Sequence, residues 1–544
     1  MKLSYQEFKN KLLIQQIVAP IDLYSAEAIA RLYYINSEEA KIWFLLFFIE
    51  INENSLFFDP MNIYLTDLYK DFFSDTPLPN FDVILKDWIQ LPDQNLNLPI
   101  MKVEDKYCLP KTYEEVFEWL DYVQKILEEK QNFSSIYHES SFSLSEEQNT
   151  AIELFFMNKW LILTGGPGRG KTFTAKKMVQ RFLKEYPNAK ILTSAPTGKA
   201  AENLCKAIES ECENLNLEPK TIHALLKVTP TKLIVDEDDK LDADLIIIDE
   251  CSMLDFKLFS LLVRKIKNSS KVLCLGDPNQ LPPIHGLSPF QLLIELTAFL
   301  PNIKHMELTI PFRTNQKGII QLTDGILNSN FEQIQEALKS DEITVKSIEA
   351  FQKDINQKIE NFLIYNPSDI DEKKLYFYKV IASHNIGPYG TDAINKSILD
   401  KLANWQRKEE ILVPVIFLEN DDSKKIYNGK MAYYSPFSNQ PKIFIQGSQP
   451  FLPHMVPKFD YAFAITIHKS QGSEFEYVDI VLQEFNPLSI ELMYTAVSRA
   501  KKRLSIYGKE ENIFLSKNKN DQEENFFKRI CLANIKKAIP SICT

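Results

Sequence analysis

"LTGGPGRGKT", Leu163 to Thr172, decides how this chain is read. Gly165, Gly170, Lys171 and Thr172 meet the spacing G-x-x-x-x-G-K-[ST], in which a glycine-rich turn joins a strand to a helix and its backbone N–H groups surround phosphate oxygens. The flanks supply that context: "KWLIL" before the turn is apolar and strand-like, and "TFTAKKMVQRFLKEY" after it has helical spacing. The stretch predicts a triphosphate pocket with Gly165, Gly166, Pro167, Gly168, Arg169 and Gly170 as its cradle. Lys171 is expected on the β- and γ-phosphates and the Thr172 hydroxyl on Mg²⁺. Arg169 stands at a variable position and is expected to point outward.

"LIIIDE", Leu245 to Glu250, supplies the other half of such a pocket. Four apolar residues suit a strand buried on both faces, and Asp249 at its C-terminal end suits a metal ligand where open α/β sheets bind theirs. Glu250 is then the group that orients and polarises an attacking water. These two elements define a nucleoside triphosphatase and no more, since kinases, transporters and motors share them.

Moving outward, "AKILTSA", "LIIIDE" and "KVLCLGD" alternate with helical segments, which implies parallel strands joined by crossovers, an α/β fold. A second alternation runs from "KKLYFYKVIAS" to "YVDIVL", interrupted by short β-rich pieces such as "ILVPVIFLEN" and "KIYNGKMAYYSP" that suit a small β-barrel insertion. With 544 residues, several domains are expected. Met1 to about Leu127 reads as helical, and the Ser/Asn-rich "QNFSSIYHESSFSLS" reads as a linker.

Composition narrows the class. At 45% hydrophobic and 25% charged residues the chain is of ordinary globular type. The apolar run "IWFLLFFI", Ile42 to Ile49, falls short of the roughly 20 residues of a membrane span and is expected to be a buried helix. "MKLSYQEFKNK" lacks the features of a signal peptide, so a cytoplasmic location is expected. Seven scattered cysteines at no metal-ligand spacing read as free thiols. A net charge of −11 excludes indiscriminate coating of nucleic acid; any strand must enter a locally favourable groove or be delivered by a partner.

In order along the chain, "APTGKAA" (Ala195–Ala201), "TIHALL" (Thr221–Leu226), "GDPNQLPPI" (Gly276–Ile284), "LTIPFRT" (Leu308–Thr314), "ITIHKSQGSEF" (Ile465–Phe475) and "YTAVSRAKKRL" (Tyr494–Leu504) resemble the motifs of the superfamily 1 helicases, in particular their RecD-like branch. The start, "APIDLYSAEAIARL", is similar to the N-terminal domain of RecD subunits of exodeoxyribonuclease V. The resemblance implies two tandem RecA-like P-loop domains with an SH3-like β-barrel insertion. It divides the chain into a helical docking domain (1–130), a first motor domain (131–345), a second (346–515, insertion at about 405–455) and a tail (516–544).

It further implies an ATP- and Mg²⁺-dependent 5′→3′ translocase on single-stranded DNA, acting with RecB-like and RecC-like partners in double-strand break repair, with no nuclease site in this chain. A stand-alone or mobilisation-type helicase and a non-motor ATP-binding scaffold are the alternatives. On the matching positions, Gln280 resembles the γ-phosphate sensor, and Arg313 and Arg499 resemble arginine fingers. Gln148 resembles the reader of the adenine edge, and Gly472 and Glu474 resemble nucleotide-proximal residues of the second domain. Thr197, Lys199, His223, Thr466 and His468 match segments that contact the strand. "NIGPYGTDAIN" (Asn385–Asn395) and "YNGK" (Tyr427–Lys430) resemble further loops of the family. Arg499, far along the chain from Lys171, would have to reach the nucleotide by domain closure, which couples hydrolysis to domain position.

Overall fold

Short runs of consecutive apolar residues fold here as central parallel strands, because both of their faces are covered. A computed structural model of the chain describes residues 4–14, 18, 20–52, 58–60, 80–92, 94, 96–128, 144–212, 215–228, 239–283, 289–298, 300, 302–312, 317–406, 411–482, 488–509 and 513. Most of the expected linker, the tail, and Arg313 lie outside these residues.

The N-terminal part holds the helix Glu38–Asn52, in which every residue from Ile42 to Ile49 is buried. Trp43 packs edge-on against Phe58 and Phe81, with ring centroids 6.1 and 5.1 Å away. The run is a core helix, and among the described residues no helix is long and apolar enough to cross a membrane. The expectation of an all-helical part needs correction. β1 (Ile89–Gln90), β2 (Ile100–Val103) and β3 (Lys106–Cys108) form a small sheet, β1–β2 parallel and β2–β3 antiparallel. Strands of two to four residues carry too little alternation to stand out in a sequence.

The first lobe is a six-stranded parallel sheet in the order β6-β5-β7-β8-β4-β9. Its strands are β4 (Trp160–Thr164), β5 (Ile191–Ala195), β6 (Lys220–Thr221), β7 (Leu245–Ile248), β8 (Lys271–Gly276) and β9 (Ile303–Glu307). Alternate side chains enter opposite cores: Leu161, Leu163, Ile247 and Leu273 on one face, Ile162, Ile246, Ile248 and Val272 on the other. The N-terminal part docks on the second face through the helix Pro110–Glu128. There Trp119 meets Phe256 edge-on and Phe259 at a tilt, with ring centroids 5.2 and 6.4 Å away.

The second lobe is a five-stranded parallel sheet in the order β10-β18-β17-β11-β16. It comprises β10 (Ile343–Lys346), β11 (Tyr378–Ala382), β16 (Ala464–Thr466), β17 (Phe475–Val481) and β18 (Ala500–Tyr507). Between β11 and β16 the chain forms a four-stranded antiparallel sheet, β14-β13-β12-β15, from β12 (Val413–Phe417), β13 (Met431–Tyr434), β14 (Ile443–Phe444) and β15 (Phe459–Tyr461). The insertion therefore reaches Tyr461, beyond the expected end near 455, because β15 pairs with β12.

The expected boundary at 345 also moves. Ile319, Leu322 and Ile326 of the helix Lys317–Leu327, and Ile343 of β10, share a core with Ile381, Ile480 and Ile506. The chain thus passes from lobe to lobe between Phe312 and Lys317. Alternating strand and helix patterns read alike on either side of that crossing, so the sequence does not mark it.

Candidate active site

β4 delivers the glycine turn, and the helix Lys171–Glu185 receives it. Gly170 occupies the N-cap in a left-handed conformation, φ 83°, with no side-chain cap, so the first N–H groups of the helix face outward toward a ligand. At Gly165 a Cβ would lie 2.7 Å from the Leu308 carbonyl oxygen, so only glycine lets β9's exit pack against the turn. The Lys171 ammonium donates to the Gly165 and Gly166 carbonyls, which holds it over the turn.

β7 carries Asp249 to the same place; its N–H donates to the Ser194 carbonyl at 2.9 Å. One Asp249 carboxylate oxygen accepts the Glu250 N–H at 2.8 Å. Burial pushes the Asp249 carboxyl above the ordinary range, opposed by that N–H and by Lys171. Glu250 sits at φ 52°, ψ 41°, a left-handed backbone rare for glutamate, which aims its carboxyl into the cleft. Burial and the neighbouring Asp249 charge raise its affinity for a proton, with Arg499 and Lys171 opposing.

One cleft of about 850 Å³ is lined from both lobes: Lys171, Thr172, Asp249, Glu250 and Gln280 from the first, and Gly472, Glu474 and Arg499 from the second. Arg499 is 3% exposed. Its guanidinium donates to the Thr495 carbonyl, the Ser473 carbonyl and the Ser498 hydroxyl at 3.0, 3.1 and 3.0 Å, so the second lobe holds it rigidly. Glu474 pairs with Lys501 at 3.3 Å. Arg313 lies outside the described residues.

Gln148 lies against the glycine turn. Its Oε1 accepts the Ser145 N–H in a capping box, and its Nε2 lies 3.0 Å from where a Cβ on Gly170 would sit. The helix-start reading of this glutamine holds, and its amide also reaches the glycine turn. Beside it stands Phe312, missed in the sequence: it is 49% exposed, its N–H donates to Gly168, and its ring lies 3.3 Å from the same Cβ position. Glu147 anchors this segment by accepting the Thr309 and Ile310 N–H groups at 2.9 and 3.2 Å. The usable signal was the aromatic immediately before Arg313 in "LTIPFRT".

One expectation is overturned, and one candidate has an unexpected partner. Arg169 does not point outward: its guanidinium pairs with Asp324 of the second lobe at 2.9 Å. Lys199, a strand-contact candidate, is held in a pair between the lobes. It is 7% exposed, pairs with Glu372 of the second lobe at 2.9 Å and lies over the Tyr376 ring at 5.1 Å. The other strand-contact candidates divide. The Thr197 and Thr466 hydroxyls accept the N–H groups of Ala200 and Lys469 and so cap local turns. His223 is half-buried, and His468 is exposed at the end of β16 rather than in a core. The "YNGK" loop of the insertion rests on the first lobe: a Cβ on Gly198 would fall 2.2 Å from the Tyr427 Cβ.

Residues 148–285 match the AAA domain model, and residues 461–507 match the model of the UvrD-like helicase C-terminal domain. The chain is similar to the protein named RecBCD enzyme subunit RecD of Buchnera aphidicola subsp. Schizaphis graminum, 24% identical over 93% of this chain and 97% of that one. It also matches the protein of that name from Mycolicibacterium smegmatis, 26% identical over 68% and 72% of the two chains. Against the ATP-dependent RecD2 DNA helicase of Deinococcus radiodurans it is 27% identical over 66% of this chain and 48% of that one. Among solved structures, Bacteroides Pif1 helicase with ADP-AlF3 and single-stranded DNA covers 73% of this chain at 19% identity and a TM-score of 0.44. The likeness to proteins named RecD subunit runs through both lobes and the N-terminal part, and the two family models match one lobe each, on either side of the cleft that both lobes line.

Proposed function

We propose that this chain is the ATP-driven motor subunit of a RecBCD-like assembly, moving 5′→3′ along the 5′-ended single strand at a broken duplex end. The observation that carries the reading is the buried Arg499 guanidinium of one lobe lining the same cleft as Lys171, Asp249 and Glu250 of the other. A site completed by two lobes makes cleavage of the triphosphate depend on their separation, and a strand held across both then feels each cycle.

Lys171 and Arg499 bind and stabilise charge on the phosphates. Gln148 and Phe312 hold the adenine by its edge and face. Glu250 orients the attacking water, and the burial that raises its proton affinity makes it the better base. Gly472 and Glu474 close the cleft from the second lobe. Arg313 is a second arginine finger by resemblance.

A magnesium ion fits the donors here: Asp249 offers a half-buried carboxylate and Thr172 a hydroxyl in the cleft lining, and hard cations take oxygen ligands. When bound, it would supply Lewis-acid neutralisation of charge on the triphosphate.

Single-stranded DNA contacts are assigned to His223, His468 and the backbone of the turns capped by Thr197 and Thr466. Such groups bind phosphate without reading sequence. The antiparallel sheet from Val413 to Tyr461 is the SH3-like insertion, reaching the first lobe through Tyr427. The N-terminal part docks the RecB-like and RecC-like partners, and any nuclease chemistry belongs to them. The chain's net charge of −11 supports delivery of the strand by partners.

The test is ATP turnover by the whole chain with and without saturating oligothymidine, alone and with its partners. Turnover should be stimulated by the strand and lost in Lys171→Gln. Arg499→Ala should lower kcat by on the order of 10³ with nucleotide affinity nearly kept. A scaffold that binds ATP without working as a motor would show neither stimulation nor loss. Duplexes with a 5′ or a 3′ tail test polarity.

A further inference from the structure

The two lobes meet around one buried carboxylate. Asp277, 1% exposed at the end of β8, accepts the Asn279 N–H on Oδ1 at 3.1 Å. Its Oδ2 accepts both the Gln280 Nε2 at 3.3 Å and the hydroxyl of Tyr494 at 2.8 Å. The first two donors come from its own turn; the third comes from the second lobe.

Each bond has a consequence for the cleft. Because Gln280 commits its amide nitrogen to Asp277, its Oε1 is the end left to accept, and among the described residues that buried oxygen has no donor. Tyr494, 2% exposed, belongs to the helix Ile490–Val497, and Arg499 follows two residues after that helix ends. With its guanidinium tied to Thr495, Ser498 and Ser473, Arg499 moves only as this turn moves. The next residue repeats the seam: the Leu281 N–H donates to the Thr495 hydroxyl at 3.2 Å. The Tyr494 hydroxyl also lies 3.0 Å from where a Cβ on Gly166 would sit, so phosphate turn, sensor turn and second lobe meet at one oxygen.

We propose that Tyr494 is a positioning residue for ATP cleavage, docking the Arg499 turn onto the same Asp277 carboxylate that orients Gln280. The proposal rests on the reading of Arg499 and Gln280 as groups that act on the γ-phosphate. A buried hydroxyl–carboxylate bond between lobes has two discrete states, made or broken, and it registers the guanidinium with the sensor only when made. It adds a cross-lobe link that depends on neither DNA nor the phosphates themselves.

Tyr494→Phe deletes the hydroxyl and keeps the ring, and Thr495→Val deletes the neighbouring acceptor at nearly constant volume. With saturating oligothymidine, each should lower kcat by on the order of 10- to 100-fold while KM for ATP stays within about twofold. In single-turnover measurements on an Arg499→Ala background, Tyr494→Phe should produce no further loss, because its effect runs through that guanidinium. An equal additional loss in that background, an unchanged kcat in Tyr494→Phe, or a fall in kcat matched by a lower melting midpoint would overturn the proposal. If Arg499→Ala alone turned over like the unaltered chain, the finger assignment itself would be wrong, which is a separate and visible failure.

Discussion

Lys379 offers a measurement of what burial costs this fold. It lies on β11, the strand between β17 and β16, and is 1% exposed. Its ammonium donates to the Ala462 carbonyl at 2.6 Å and lies 5.6 and 6.0 Å from the ring centroids of Phe475 and Phe362. Burial alone pushes its pKa from the ordinary 10.5 down to about 7. The sign follows from proton binding: between these two values the unfolded chain holds a proton that the folded one does not, so stability rises with pH across that interval. Below about pH 7 both states are protonated and the full penalty of the buried charge is present; above about 10.5 it is gone.

At about 1.4 kcal/mol per pH unit the interval corresponds to roughly 5 kcal/mol, as an order of magnitude. Lys379→Met keeps the volume, removes the charge and leaves the Ala462 carbonyl without this donor, a loss of about 1–3 kcal/mol. The variant should therefore be more stable than the unaltered chain at pH 6.5 by a few kcal/mol, with the gain shrinking steadily toward pH 10. Hydrogen exchange of the β11 amides across this pH range reads the difference within the lobe concerned. A difference that is flat with pH, or that grows toward pH 10, would refute the argument.

Two further outcomes follow from packing and charge. Trp119→Ala empties the contact on Phe256 and Phe259 and should cost about 3–5 kcal/mol locally, seen as faster exchange of the helix Pro110–Glu128 with β17 and β18 unaffected; uniform acceleration would contradict separate cores. Asp324→Asn should weaken the Arg169 pairing by under about 1 kcal/mol, because both groups are partly exposed. Fluorescence-measured lobe separation should then change little and only at low salt. Complete opening at any salt would make this pair dominant over the other contacts between the lobes, Lys199–Glu372 and Asp277–Tyr494 among them.

Local chemistry was legible in the residues themselves. The glycine turn, Thr172, Asp249, Glu250 and the strands around them follow from spacing and apolar runs, since a phosphate cradle and a buried parallel strand each impose a pattern within about ten neighbouring residues. The motif order implied two lobes and nominated Gln280 and Arg499 across more than two hundred residues of chain. What it could not supply was the partner of each side chain. Arg169 and Lys199 looked like outward or strand-facing cations; in space each meets a carboxylate of the second lobe, Asp324 and Glu372. Nothing in sequence distance links Asp277 to Tyr494, and the lobe crossing after Phe312 leaves no change of pattern. Short-range order comes from backbone geometry and periodicity, which neighbouring residues encode. Which charges pair, and which hydroxyl reaches a buried carboxylate, depends on how two separately built sheets face each other, and only the folded arrangement decides that.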